Sequence, residues 1–260
     1  MRNKKNNRPK AFYNLKDNIH RQARVARYAF TSGFVRNKSV LEVGCGARDG
    51  PLLLSRSARK VAATDISREA IEYAKRHYRS DNIEYLMMDG ASPTFHDETF
   101  EVVVALEVIE HVSDEKLFLK NIKKVLKSGG LSVLSTINRE RRDFDSRNQK
   151  IPHHEKEYSF FEYQNLLKEY FTDVKISGQF LKKDIYAGAE DWRGRIKGLD
   201  SLGLRRLIPR FVKEAVLDFA RAAQGATPLR EVKKEDFYFA ELKPEKPMKD
   251  VWNFIAICRK

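Results

Sequence analysis

Cysteine is nearly absent from this sequence: Cys45 and Cys258 are the only two in 260 residues. One stands in a glycine pair and the other in an apolar run, which excludes a disulfide scaffold and predicts two unpaired thiols in a reducing compartment. No apolar run approaches the roughly 18 residues of a membrane-crossing helix. The opening residues MRNKKNNRPK lack the hydrophobic stretch of a signal peptide. A cytoplasmic chain is expected. Internal repeats and long low-complexity segments are missing as well. Acidic residues are scarce at two places. Residues 1–38 carry eleven Lys/Arg against Asp17 alone, and 192–234 carry eleven against four acids, whereas 235–260 balance. The net charge of +14 therefore sits in the flanks and the block 39–191 is mildly acidic. Flanks of this kind either attract an anionic partner, such as nucleic acid, phospholipid or a phosphorylated substrate, or serve as solvated faces.

What is present is patterned. With 42% hydrophobic residues the chain can bury a three-layer core. Apolar runs at 40–43, 61–64, 83–88, 101–106 and 131–135 alternate with amphipathic stretches, which predicts an α/β fold with a parallel sheet covered on both faces. Ala70, Ile71, Ala74 and Tyr78 recur at helical spacing behind the capping residue Ser67. Leu117, Ile122, Val125 and Leu126 do the same before Gly129 and Gly130, which should stop that helix. A helix over 159–170 and strands near 174–180 and 251–258 complete the core. Residues 182–250 are too many for a structureless loop. They are expected as a helical insertion, clearest at 209–223, where Phe211, Val212, Ala215, Val216 and Phe219 share a face. The predicted layout is a basic helical segment at 1–38, a core at 39–181, the insertion at 182–250 and a final core strand at 251–260.

The motif with most chemical content is Val40-Leu41-Glu42-Val43-Gly44-Cys45-Gly46-Ala47-Arg48-Asp49-Gly50, a strand running into a glycine-rich turn and a helix. Glycines allow a sharp turn and close approach of a ligand, and the helix start offers unpaired N–H groups. A nucleotide-like cofactor is expected here. Asp65 ends the next apolar run, 21 residues after Gly44, where its carboxylate can accept from ribose hydroxyls. A dinucleotide fingerprint requires Gly or Ala at position 49, and this chain has Asp49. A cofactor without a pyrophosphate does not impose that requirement.

Taken with Ala63-Thr64-Asp65-Ile66-Ser67, Met88-Asp89-Gly90-Ala91, the run from Phe100 through Glu107-Val108-Ile109-Glu110-His111-Val112, and Leu126-Lys127-Ser128-Gly129-Gly130, the sequence resembles the class I S-adenosylmethionine (SAM) methyltransferases. It is most similar to the branch holding ubiquinone-pathway enzymes and methyltransferases of surface-glycan and natural-product clusters, over residues 38–180 and again in the last strand. The resemblance implies a Rossmann-like, mostly parallel seven-stranded sheet with helices on both faces and the last strand antiparallel. It implies SAM as cofactor, with backbone contacts from Gly44, Cys45 and Gly46. Asp65 would hold the ribose beside Ile66, Asp89 would meet the adenine beside Gly90, and Leu106 and Glu107 would form the floor under the sulfonium. Glu42, at the end of the first strand, can help hold the cationic methionine end. Arg48 departs from the glycine that many members have there.

Methyl transfer is an in-line displacement at a carbon activated by positive sulfur, and it needs alignment and a place for the acceptor's proton. A helical continuation after the fourth strand would put Glu107 and His111 at i and i+4, making His111 a candidate base oriented by Glu107. His154, in the loop Ile151-Pro152-His153-His154-Glu155-Lys156-Glu157-Tyr158-Ser159, is the second candidate, with Ser159 as an N-cap. No metal is expected among the cofactors, although relatives with Glu-x-x-Glu-His use a divalent ion and Glu107, Glu110 and His111 could hold one. The resulting expectation is methylation, at oxygen, of a small-molecule, saccharide or lipid-linked acceptor. The insertion would cover the acceptor side, or dock a membrane surface through the 209–223 helix. The competing readings are an RNA methyltransferase using the basic flanks and a noncatalytic SAM-binding interaction protein. RNA-binding modules are absent, and Glu-Val-Ile-Glu-His replaces the Asn/Asp-Pro-Pro-Tyr/Phe of many amino-directed nucleic-acid enzymes.

Overall fold

The central strands form where β-branched and other apolar residues run together, and β1, β2 and β4 are buried on both faces. In the computed structural model, which describes residues 10–90, 94–141, 154–182, 233–242, 248 and 250–260, β1 (Ser39–Val43), β2 (Lys60–Asp65), β3 (Ile83–Met87), β4 (Phe100–Leu106) and β5 (Leu126–Ile137) are parallel neighbours. The helices are α1 (Lys10–Thr31), α2 (Gly50–Ser55), α3 (Arg68–His77), α4 (Glu115–Val125) and α5 (Phe160–Lys168). Strands β6 (Asp173–Leu181), β7 (Phe237–Glu241) and β8 (Asn253–Arg259) follow, giving the order β3-β2-β1-β4-β5-β8-β6-β7. β8 lies between β5 and β6 and is antiparallel to both. The expected Rossmann-like sheet with an antiparallel last strand is thus formed, with eight strands rather than seven. The additional strand, β7, lies within 182–250, expected as a helical insertion; its Phe-Tyr-Phe-Ala run is brief and largely exposed, and it forms a strand and not a helix.

Alternation along the strands separates two apolar layers. Val103 and Ala105 of β4 face Phe118, Leu119 and Ile122 of α4 and Tyr163 and Leu167 of α5. Val102 and Val104 face the opposite way, into a layer with Tyr28 of α1, Leu54 of α2 and Ile71 of α3. Helix ends follow the predicted chemistry. Ser67 accepts from the Ala70 N–H, and Ser159 and Glu162 form a reciprocal capping box at the start of α5. One boundary differs: α4 ends at Val125, and Leu126 through Gly130 already belong to β5. Leu126 is fully buried opposite Phe100, so its apolar side chain serves the sheet and not the helix.

The chain divides into two units, Arg24–Phe180 with Tyr238–Lys260, and Met1–Ala23 with Leu181–Phe237. Within the smaller, Lys182 N–H donates to the Asp236 carbonyl at 2.9 Å and Lys234–Asp236 form a 3-10 turn. The expected 209–223 helix and His153 lie outside the described residues. Both cysteines are unpaired and buried. Among the described residues no helix is long and apolar enough to cross a membrane.

Phe254 ties the late strands to α5: it is fully buried in β8 with its ring against those of Phe160 and Tyr163. Phe254→Ala is expected to cost about 3–5 kcal/mol of stability, read by urea unfolding at unchanged m-value.

Candidate functional site

From β1 the chain moves outward to β2 and β3, and it returns on the other side to β4 and β5. The C-terminal ends of β1 and β4 therefore flank the crevice where doubly wound sheets bind ligands. All residues predicted for the cofactor stand along this edge: Glu42, Gly44, Cys45 and Gly46 at the end of β1, Asp65 and Ile66 after β2, Asp89 and Gly90 after β3, and Leu106 and Glu107 after β4. Gly44 and Gly46 have φ of +71° and +60°, and a Cβ on Gly44 would stand 2.6 Å from a Val108 methyl. Both the backbone angle and the space demand glycine at 44. Asp65 accepts from the Gly46 N–H at 2.8 Å and from the Ser67 N–H at 2.9 Å. A carboxylate has about four acceptor positions, so ribose hydroxyls can still be received. Ile66 is 70% exposed, an apolar surface beside that carboxylate.

One face of α1 answers the acids at this edge. Arg24 pairs with Asp49 at 2.6 Å, Arg27 with Glu107 at 2.6 Å, and the Tyr28 hydroxyl donates to Glu42 at 2.5 Å. The spacing i, i+3, i+4 puts all three on one stripe. Arg27 is only 3% exposed and also donates to Gln179 at 2.9 Å and Asn253 at 3.2 Å, while Asn253 donates to Glu107 at 2.7 Å. Burial pushes the Glu42 carboxyl up to about 7 against the lowering effects of Tyr28 and Arg24. Its Oε2 and the Nε and Nη1 of Arg24 are buried without a hydrogen-bond partner. Sequence reading missed Arg24, Arg27 and Tyr28 because it counted α1 as diffuse positive charge. The signal available was their spacing, together with Gln179 and Asn253 as polar residues inside apolar strands.

The expected helical continuation through Glu107 does not form. Glu107 has φ +58°, a left-handed conformation that cannot begin a right-handed turn, and only Ile109–His111 make a 3-10 turn. Its N–H donates to the Ser135 carbonyl and hydroxyl, at 3.0 and 3.1 Å. The Glu107 carboxylate is held by Arg27 and Asn253, so the expectation that it orients His111 is corrected. His111 and His154 do come together, their rings edge-on with centroids 4.7 Å apart. Glu110 lies beside them, fully buried, with neither carboxyl oxygen hydrogen-bonded. Burial first, then the Glu107 charge, push its carboxyl up to about 8. Among the described residues Glu110, His111 and His154 present ligand atoms all within 4.8 Å of one another, so they, and not Glu107, Glu110 and His111, form a trio that could hold a divalent ion.

Residues 41–134 match a family described as a methyltransferase domain. The chain is 27% identical over 163 residues to a ubiquinone biosynthesis O-methyltransferase of Rickettsia akari, covering 59% of this chain and 65% of that one. Over 144 residues it is 32% identical to an S-adenosylmethionine-dependent methyltransferase of Mycobacterium tuberculosis, covering 55% and 52%. Residues 41–134 are therefore similar to methyltransferase domains in sequence. A SAM-dependent methyltransferase structure from Thermotoga maritima shares the methyltransferase fold with a TM-score of 0.58 at 16% identity, over 96% of this chain and 98% of that one. The chain spans about half to two thirds of the length of the curated relatives it matches.

Because the fold favours the neutral form of Glu42, the folded chain keeps a proton that the unfolded chain gives up near 4.5. That contribution is complete below about 4.5 and is lost as pH rises through about 7. Glu42→Gln should flatten the pH dependence of unfolding free energy between those limits, by on the order of 3 kcal/mol, in denaturant titrations of the ligand-free protein. An unchanged profile would place the shift elsewhere.

Proposed function

We propose that the chain is a SAM-dependent methyltransferase that methylates, at oxygen, a small-molecule, saccharide or lipid-linked acceptor. The observation that carries this reading is the pairing of orphaned groups at the glycine turn. An amino-acid end has an ammonium and a carboxylate; Glu42 Oε2 is an unpaired buried acceptor, and Arg24 Nε and Nη1 are unpaired buried donors. They fit the methionine end of SAM as Asp65 fits its ribose. When bound, SAM supplies a methyl group activated by positive sulfur.

The chain's own residues then have separable tasks. Gly44, Cys45 and Gly46 offer backbone to the cofactor, with Ile66, Asp89, Gly90 and Leu106 along the same edge. Arg27 keeps Glu107 fixed under the site. His111, the exposed member of the histidine pair, takes the acceptor's hydroxyl proton as the oxygen becomes the nucleophile. The O-methyltransferase name of a relative supports oxygen as the target. The insertion 182–250, proposed as the cover of the acceptor side, would select the acceptor.

Calorimetry should show SAM binding at micromolar affinity or better, about −8 kcal/mol. Asp65→Ala and Arg24→Ala should each weaken it by roughly 1.5–3 kcal/mol, the range for hydrogen bonds to charged groups. Tight nicotinamide dinucleotide binding without SAM binding would defeat the reading. With labelled SAM and cell extract, His111→Ala should lower product formation by about 10²–10⁴ while SAM affinity holds. SAM binding with no labelled product from any extract would favour a noncatalytic SAM-binding protein instead.

A further inference from the structure

Beside the histidine pair stands a carboxylate to which neither the cofactor edge nor the acceptor reading assigns a task. Glu157 Oε1 lies 3.2 Å from Nδ1 of His154, and the two side chains are only 20% and 8% exposed. His154 is therefore more enclosed than His111, which faces solvent. We propose that Glu157 is a positioning residue: it accepts the Nδ1–H of His154, fixes that ring's tautomer, and through the edge-on contact sets the orientation of His111. The proposal rests on the reading of His111 as the group that receives the acceptor's proton.

The segment carrying Glu157 is built to hold a ring still. The N–H groups of Glu155 and Lys156 both donate to the backbone carbonyl of Glu110, at 2.8 and 3.3 Å, which ties the loop to the turn bearing His111. Two residues on, Tyr158 is buried, and its carbonyl accepts from the Arg139 N–H at 3.0 Å. Ser159 then starts α5 through its capping box. Glu157 is thus anchored from both sides by backbone and packing, independently of its own carboxylate.

The charged groups around the pair leave this role to Glu157. Glu110 is fully buried and favours its neutral form. Lys156 is committed to Glu115 at 2.9 Å and lies over the Tyr158 ring. Glu107 is engaged with Arg27 and Asn253. The ring nitrogen that carries the proton in a neutral imidazole is set by the hydrogen bond made at the other edge. With Nδ1–H directed at Glu157, the lone pair of His154 is on Nε2. A ring with a free tautomer and rotamer beside His111 would leave the latter's orientation open, and misplacement of a base by about 1 Å can cost about 100-fold in rate.

Nitrogen NMR reads this directly without acceptor or SAM. In protein labelled with ¹⁵N-histidine, at a pH where imidazole is neutral, the His154 signals are assigned by their loss in His154→Gln. The expected result is a protonated Nδ1 and a free Nε2 in the native protein. Glu157→Gln, whose amide oxygen still accepts, should keep this pattern, and Glu157→Leu should reverse it at unchanged fold. In the labelled-SAM extract assay, Glu157→Leu should lower turnover by about 10- to 100-fold with SAM affinity unaltered, and Glu157→Gln should lose less. An Nε2–H tautomer in the native protein, or nitrogen shifts indifferent to Glu157→Leu, overturns the proposal. Full turnover by His111→Ala would remove the base reading alone, because the Glu157 pairing is decided by the nitrogen shifts.

Discussion

Carboxylates brought together at one edge of a sheet must be neutralised or left in water, and the arrangement of this site follows from how the chain meets that constraint. Glu42 and Glu107 end neighbouring strands, and Asp49 opens the helix after the glycine turn. A buried carboxylate without a partner costs several kcal/mol. Three residues on one stripe of α1 supply the partners, two as ion pairs and one as a hydrogen bond. The last contact leaves no room for a larger residue at position 50, where an added Cβ would meet both the Tyr28 ring and the Glu42 carboxyl. Charge, helix phase and a glycine are thus one requirement seen at three positions.

The same constraint fixes the end of β4. A left-handed backbone costs a non-glycine residue about 1–2 kcal/mol, and Glu107 adopts it where the chain leaves the sheet. The cost is offset by two acceptors for its N–H and by a carboxylate held from α1 and β8. Strained backbone of this kind gathers at functional sites because surrounding structure must over-determine it. Here it separates the two acids of Glu-x-x-Glu-His: Glu107 joins the Arg27 network, and Glu110 turns into the interior beneath the exposed His111. Charge is handled by pairing in the first case and by favouring the neutral form in the second.

A cofactor crevice at the topological switch point is shared by proteins of many activities, so the fold does not name the reaction. The side chains narrow it. Unpaired donors and acceptors at the glycine turn suit a zwitterionic end, and the two histidines offer a place for one proton. The acceptor is a matter for residues beyond this edge.

The succession of strands and helices along the core, the glycine turn, the caps at Ser67 and Ser159 and the row Glu42, Asp65, Glu107 could be read in the sequence, because each depends on residues near one another along the chain. Apolar runs report burial on both faces, and φ near +70° with no space for a side chain leaves only glycine at position 44. The half-exposed β7 left no such mark. The pairing of Arg27 with Glu107, Gln179 and Asn253 spans 152 and 226 residues for its two longest bonds, and no local pattern carries such distances. Nor could the pattern Glu-x-x-Glu-His show that its first acid would turn left-handed, since that depends on Arg27 and Ser135. The sequence by itself determined which chemical groups stand at the strand ends. The tertiary structure decided which of them are paired and which stay neutral, because charge partners are chosen in space after the sheet and α1 have packed.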